Sequence, residues 1–189
     1  MDIKLFWALI SSILTVAFFG TYLKDILVGK TQPHMYSWLI WAILILIGTG
    51  AAFKGGAGYG AWSLGVGALF CLAIFFLSFK YGTKNIKSFD LYCLLGACVA
   101  LIVYLFVHNP LYAVILIVLV DFIAYLPTLR KGFEEPYSET LISFVISAGT
   151  NLLSIFAIEY YSLTTVLYPL SLMITNSIMC TVLIMRRRN

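Results

Sequence analysis

Residues 19–33 read FGTYLKDILVGKTQP, and residues 122–136 read FIAYLPTLRKGFEEP. Phe19, Tyr22, Leu23, Gly29 and Pro33 return without a gap as Phe122, Tyr125, Leu126, Gly132 and Pro136, displaced by 103 residues. The same displacement carries Ser37 onto Thr140, Trp41 onto Phe144 and Phe53 onto Phe156. Spaced identities in an apolar background are modest evidence taken singly. The glycine and the proline add weight, because both answer to turn geometry rather than to hydropathy. An internal repeat is therefore expected, with Gly29–Pro33 and Gly132–Pro136 in corresponding loops.

The surroundings of the repeat are too apolar for a water-soluble globule. The chain has 189 residues, 62% hydrophobic and 11% charged, with a mean hydropathy of +1.00. A soluble domain carries about 25% charged residues. Lipid is the solvent that suits such a chain, and in lipid the backbone must satisfy itself within helices. A span takes about 20 apolar residues. Helices are expected near 4–24, 35–53, 60–80, 90–107, 110–128, 138–158 and 162–185, separated by glycine- and proline-bearing breaks and by the short 159–161 segment. The start, Met1–Lys4, is too short and too weakly basic for a cleavable signal, so the first apolar run is kept as a span.

Lys and Arg orient the chain. With seven spans, Lys24, Lys30, Lys80, Lys84, Lys87, Arg130, Lys131 and Arg186–Arg188 share one side, and only Lys4 and Lys54 lie on the other. The rich side is expected to be cytoplasmic, so the N-terminus is outside and the C-terminus inside. The lack of targeting segments and long loops fits a plasma (inner) membrane. The fold class expected is all-α and membrane-integral. Residues 1–81 form a first three-helix bundle, 82–108 a linker helix and 109–189 a second bundle. Three helices plus one linker bring the second repeat in from the same side as the first, so the bundles are parallel repeats with a cavity between them.

The segment Tyr125-Leu126-Pro127-Thr128-Leu129-Arg130-Lys131, followed by Tyr137-Ser138-Glu139-Thr140-Leu141, resembles the PQ-loop signature of a proline near the end of a bundle's first helix, basic residues, then a Ser-x-Glu start to the second. With the three-one-three plan, the chain resembles the PQ-loop/SWEET-like superfamily. Thr128 stands where that signature has Gln, and Lys24-Asp25 stand where the first repeat would have Pro-Gln. The resemblance implies carriers of sugars, amino acids or vitamin precursors, and also receptors that do not transport. It matches Asn176 to the third-helix asparagine of SWEET sugar carriers, whose mate here is Ala73.

Asp121 is the sharpest single feature. It falls roughly 10 Å inside the expected end of the fifth helix at 1.5 Å per residue. A carboxylate there costs several kcal/mol unless paired, protonated or wet. Tyr125 and Thr128 follow at i+4 and i+7 on the same face. Asn151, Asn176, Tyr168 and Trp41 complete the candidate substrate-binding set, and Pro127 and Pro169 are candidate hinges. Ser143, Ser147 and Ser154 read as helix packing, Trp7, Trp38 and Trp62 as interfacial anchors, and Gly56 with Gly60 as a close-packing GxxxG. His34 reads as a solvated loop residue. The four cysteines read as reduced apolar side chains.

A transporter of a small polar metabolite, with Asp121 as a proton-coupling or cation-facing carboxylate, is the leading expectation. A non-transporting receptor or interaction protein of the same fold is the alternative. No enzyme is expected: there is no GxSxG, HExxH or His pairing, and no Lys follows Lys131 to form a retinal Schiff base. No cofactor, metal or nucleic acid is expected. The partners are a small-molecule substrate and the bilayer, with a homo-oligomer left open.

Overall fold

A computed structural model describes residues 3–54, 60–158 and 161–188. Within them the chain is helical: α1 (Ile3–Leu27), α2 (Met35–Lys54), α3 (Gly60–Tyr81), α4 (Ser88–Tyr104), α5 (Pro110–Glu134), α6 (Leu141–Ala157) and α7 (Leu163–Arg188), with a 3-10 turn at Pro136–Ser138. The expected GxxxG, Trp62 and the 159–160 break lie outside the described residues or side chains.

Local chemistry accounts for the helix ends. Asn109 caps α5, its Oδ1 accepting from the backbone of Leu111 at 2.9 Å, and Pro110 takes the first helical position, where no donor is lost. Asp90 accepts the Lys87 backbone N–H at 2.8 Å and so opens α4. After α1 the chain reverses at Gly29, whose φ of +74° suits a residue without a side chain, and Lys30 N–H returns to the Asp25 carbonyl at 2.8 Å.

Three helices, Leu9–Leu27, Leu111–Glu134 and Leu163–Arg188, are long and apolar enough to cross a membrane, and four shorter helices are apolar as well. The surface explains why even the shorter ones are not ordinary soluble helices. On α4, Tyr92, Leu95, Val99 and Ile102 are all more than half exposed, while Asp90, Cys93, Ala97 and Leu101 face inward. Apolar residues on the outer face suit lipid rather than water.

Helix α3 packs on α2 and also touches α1; α7 packs on α6 and on α5. Among the described residues the backbones of α1 and α2 do not approach each other, nor do those of α5 and α6, so the third helix of each repeat lies between the other two and only side chains such as Tyr22 and Trp38 bridge the gap. Across the halves, α1 meets α6 and α2 meets α5, while α4 rests on α5 and α2. These crossings repeat in detail. Tyr22 faces Phe144 at 6.4 Å and Tyr125 faces Trp41 at 5.6 Å, and the 103-residue displacement exchanges the two pairs. Thr140 Oγ1 donates to Asp25 at 2.9 Å and Thr128 Oγ1 donates to Ser37 at 2.9 Å, again exchanged by the same displacement. Such reciprocity, where i meets j′ and j meets i′, is the signature of a twofold relation.

Several expectations need correction. Helix α5 runs to Glu134, six residues past the expected end, because Arg130 and Glu134 pair one turn apart at 2.7 Å and Arg130 also binds Asp90. Pro127 therefore lies inside α5, and Asp121 lies midway along it, about 17 Å from its start. Gly132 is helical rather than in a loop. A Cβ there would come within 2.9 Å of Met179 Sδ, so it marks close approach of α5 and α7. Gly29 and Gly132 thus match in sequence but serve different purposes. Trp38 is no anchor: it is 3% exposed within the core.

Candidate functional site

Between the two halves lies a cavity of about 130 Å³. Its wall from the first half is mostly ring: Phe18 and Tyr22 from α1, Trp38 and Trp41 from α2, with the Cys71 thiol from α3. The wall from the second half carries the polar groups: Asp121, Tyr125 and Thr128 from α5, Ser147 from α6, and Tyr168 and Asn176 from α7. The rings interlock, with Trp38 and Trp41 edge to face at 5.1 Å and Tyr22 against Trp38 at 5.0 Å.

Asp121 is 3% exposed. The Trp41 indole and the Tyr168 hydroxyl, an N–H and an O–H, are its polar neighbours. A buried carboxylate needs such neighbours, because a hydrogen bond to a charged acceptor contributes about 1.5–3 kcal/mol against the cost of its burial. Tyr125 is 4% exposed, and its hydroxyl is buried with no hydrogen-bond partner. A buried, unsatisfied hydroxyl beside a cavity is the kind of group a ligand or water completes.

Five of the six predicted binding residues, Asp121, Tyr125, Asn176, Tyr168 and Trp41, line this cavity. Asn176 spends a donor on its own helix, to the Leu172 carbonyl at 2.7 Å. Asn151 is not on this wall. It donates to the Ser147 carbonyl at 2.8 Å and lines a second cavity, of about 270 Å³, with Thr15 and Ser154. Phe18, Phe19, Ile45, Ser147 and Leu172 border both cavities, so the second continues the first toward the N-terminal half of α1. Pro127 is buried two residues from Tyr125, and Pro169 follows Tyr168 directly. Ser143 packs as expected, its Oγ 2.8 Å from Thr21 Oγ1.

The opposite end of the cavity is closed by polar contacts between the halves. Tyr22, on the cavity wall, donates to Glu139 at 3.0 Å, and Glu139 pairs with Lys131 at 2.6 Å, both side chains 0% exposed. Lys131 Nζ also donates to the Gln32 carbonyl, and Thr31 Oγ1 meets Thr140 Oγ1. Beside this lies a second cluster: His34, with Nε2 3.2 Å from Asp90, and Arg130, which binds Asp90 with two nitrogens. His34 is fully buried, not solvated, and burial holds it below its ordinary value, with Asp90 opposing. Sequence reading missed Tyr22, Phe144, Asp90 and Glu139. The repeat held a clue to the first two, since they are the mates of Tyr125 and Trp41.

Among the described residues no three His, Cys, Asp or Glu side chains gather as metal ligands, and all four cysteines are free thiols. Comparison with protein-family models, curated proteins and solved structures finds no match.

Proposed function

We propose that the chain is a seven-span transporter of a small polar metabolite, working by alternating access between two parallel three-helix bundles joined by α4. In this reading the N-terminus is outside and the basic ends of α1, α3, α5 and α7 are cytoplasmic. The architecture is that of the PQ-loop/SWEET-like superfamily, with the twofold axis along the membrane normal. Asp121 carries the proposal: a buried carboxylate midway along an apolar helix, at a cavity where the two repeats meet, is a substrate or proton site by default. Two further features fit. Among the described residues the cavity continues toward the N-terminal half of α1, and at its other end contacts join one half to the other.

The test is uptake by proteoliposomes of purified protein, screened against small metabolites with and without a pH gradient. Saturable uptake that collapses in Asp121→Asn supports the reading. Saturable binding with no flux for any solute would replace it with a receptor of the same fold.

A further inference from the structure

Asp121 is the one acidic side chain on the cavity wall, and among the described residues no Lys, Arg or His lines it. The buried cation at the end of α5, Lys131, is already held by Glu139. The cavity that Asp121 faces is lined by the rings of Tyr22, Trp38, Trp41, Tyr125 and Tyr168. Trp41 and Tyr168 are the polar neighbours of the carboxylate, while the Tyr125 hydroxyl and the Trp38 indole N–H are buried with no hydrogen-bond partner. A wall of this kind offers negative potential from the rings and the carboxylate together, plus one acceptor oxygen for an N–H.

We infer that the ligand of this cavity is a small organic ammonium ion with an apolar body and no acidic group. This rests on the transport reading for its role but not for its binding. Aromatic walls attract ammonium groups through the ring quadrupole, most strongly when water is excluded. A free amino acid fits poorly, because its carboxylate would be desolvated beside Asp121 with no cation to meet it. A sugar would leave several hydroxyls against carbon. Size is compatible: an engineered cavity of about 150 Å³ holds benzene, so a volume of about 130 Å³ beside Asp121 takes a cationic head of six or seven heavy atoms.

The test is a binding series on the intact purified protein, read by tryptophan fluorescence and by thermal stability. The probes are choline, tetramethylammonium and isobutylamine. Against them stand 3,3-dimethylbutanol, the uncharged carbon isostere of choline, and trimethylglycine, which adds a carboxylate. At least one cation is expected to bind saturably, and where choline binds, its isostere and trimethylglycine bind about tenfold or more weakly. Asp121→Asn is expected to lose cation binding by a similar factor, and Tyr125→Phe to weaken isobutylamine more than choline. Equal binding of the isostere or of trimethylglycine overturns the inference, as does binding by none of the three cations. These readouts need no flux. Cation binding without uptake sinks transport and keeps the ligand class; saturable uptake of an uncharged or zwitterionic solute, without cation binding, keeps transport and sinks the ligand class.

Discussion

His34 shows how much a single side chain depends on its surroundings. Beside Pro33 it reads as a surface loop residue, yet it is fully buried, 3.2 Å from Asp90. Burial disfavours the imidazolium, so the folded protein takes up the proton at lower pH than the unfolded chain, whose value is near 6.5. The sign follows: as pH falls through about 6.5 the unfolded state binds the proton first, and stability declines. Thermal unfolding in detergent between pH 8 and 5 should show an acid-side loss that is smaller in His34→Gln. An identical pH slope in the two proteins would remove His34 as its source. Asp121 poses the same problem of a buried polar group, with the Trp41 indole and the Tyr168 hydroxyl as its polar neighbours.

Among the elements, the junction of α5 and α6 concentrates the closing contacts. Breaking a buried ion pair by removing one partner costs about 3–5 kcal/mol, whereas replacing both with apolar groups is often neutral. Lys131→Met and Glu139→Leu should therefore each destabilise strongly, and the double variant should recover most of the loss; the cycle of melting temperatures measures it. If the two single effects simply add, Lys131 and Glu139 are not coupled as their 2.6 Å contact requires. Inside α5, Pro127 leaves the carbonyl four residues back without its helical donor. Pro127→Ala restores that bond, and an interior proline costs a helix ~3 kcal/mol. The variant should melt higher and, if α5 bends during transport, carry solute more slowly with unchanged binding. Faster flux in that variant would argue that the proline is not a hinge.

For the whole molecule the twofold exchange of contacts couples the two halves. Asp25–Thr140 and Ser37–Thr128 cross between halves at equivalent places, so a rotation of one half against the other breaks both together. The membrane orientation has a direct check. In a background lacking Cys71, Cys93, Cys98 and Cys180, Lys84→Cys should react with an impermeant maleimide only from the cytoplasmic side, and His108→Cys only from outside. Labelling of both from one face would refute seven spans.

Sequence alone determined the local and the periodic: helices from apolar runs, the α5 start from Asn109-Pro110, the repeat from Tyr22 and Tyr125 with their neighbours, and Asp121 as a carboxylate inside an apolar helix. These follow from hydropathy, backbone chemistry and spacing, which act along the chain. Tertiary structure decided what stands opposite what. It buried His34 and Trp38, carried α5 two turns past Pro127, turned Gly132 into a packing position, and joined Tyr22 to Glu139 and Lys131. Those outcomes depend on partners about a hundred residues away, or a helix across, and a carboxylate or a ring has no fixed meaning until the fold supplies the neighbour that pairs with it or shields it from solvent.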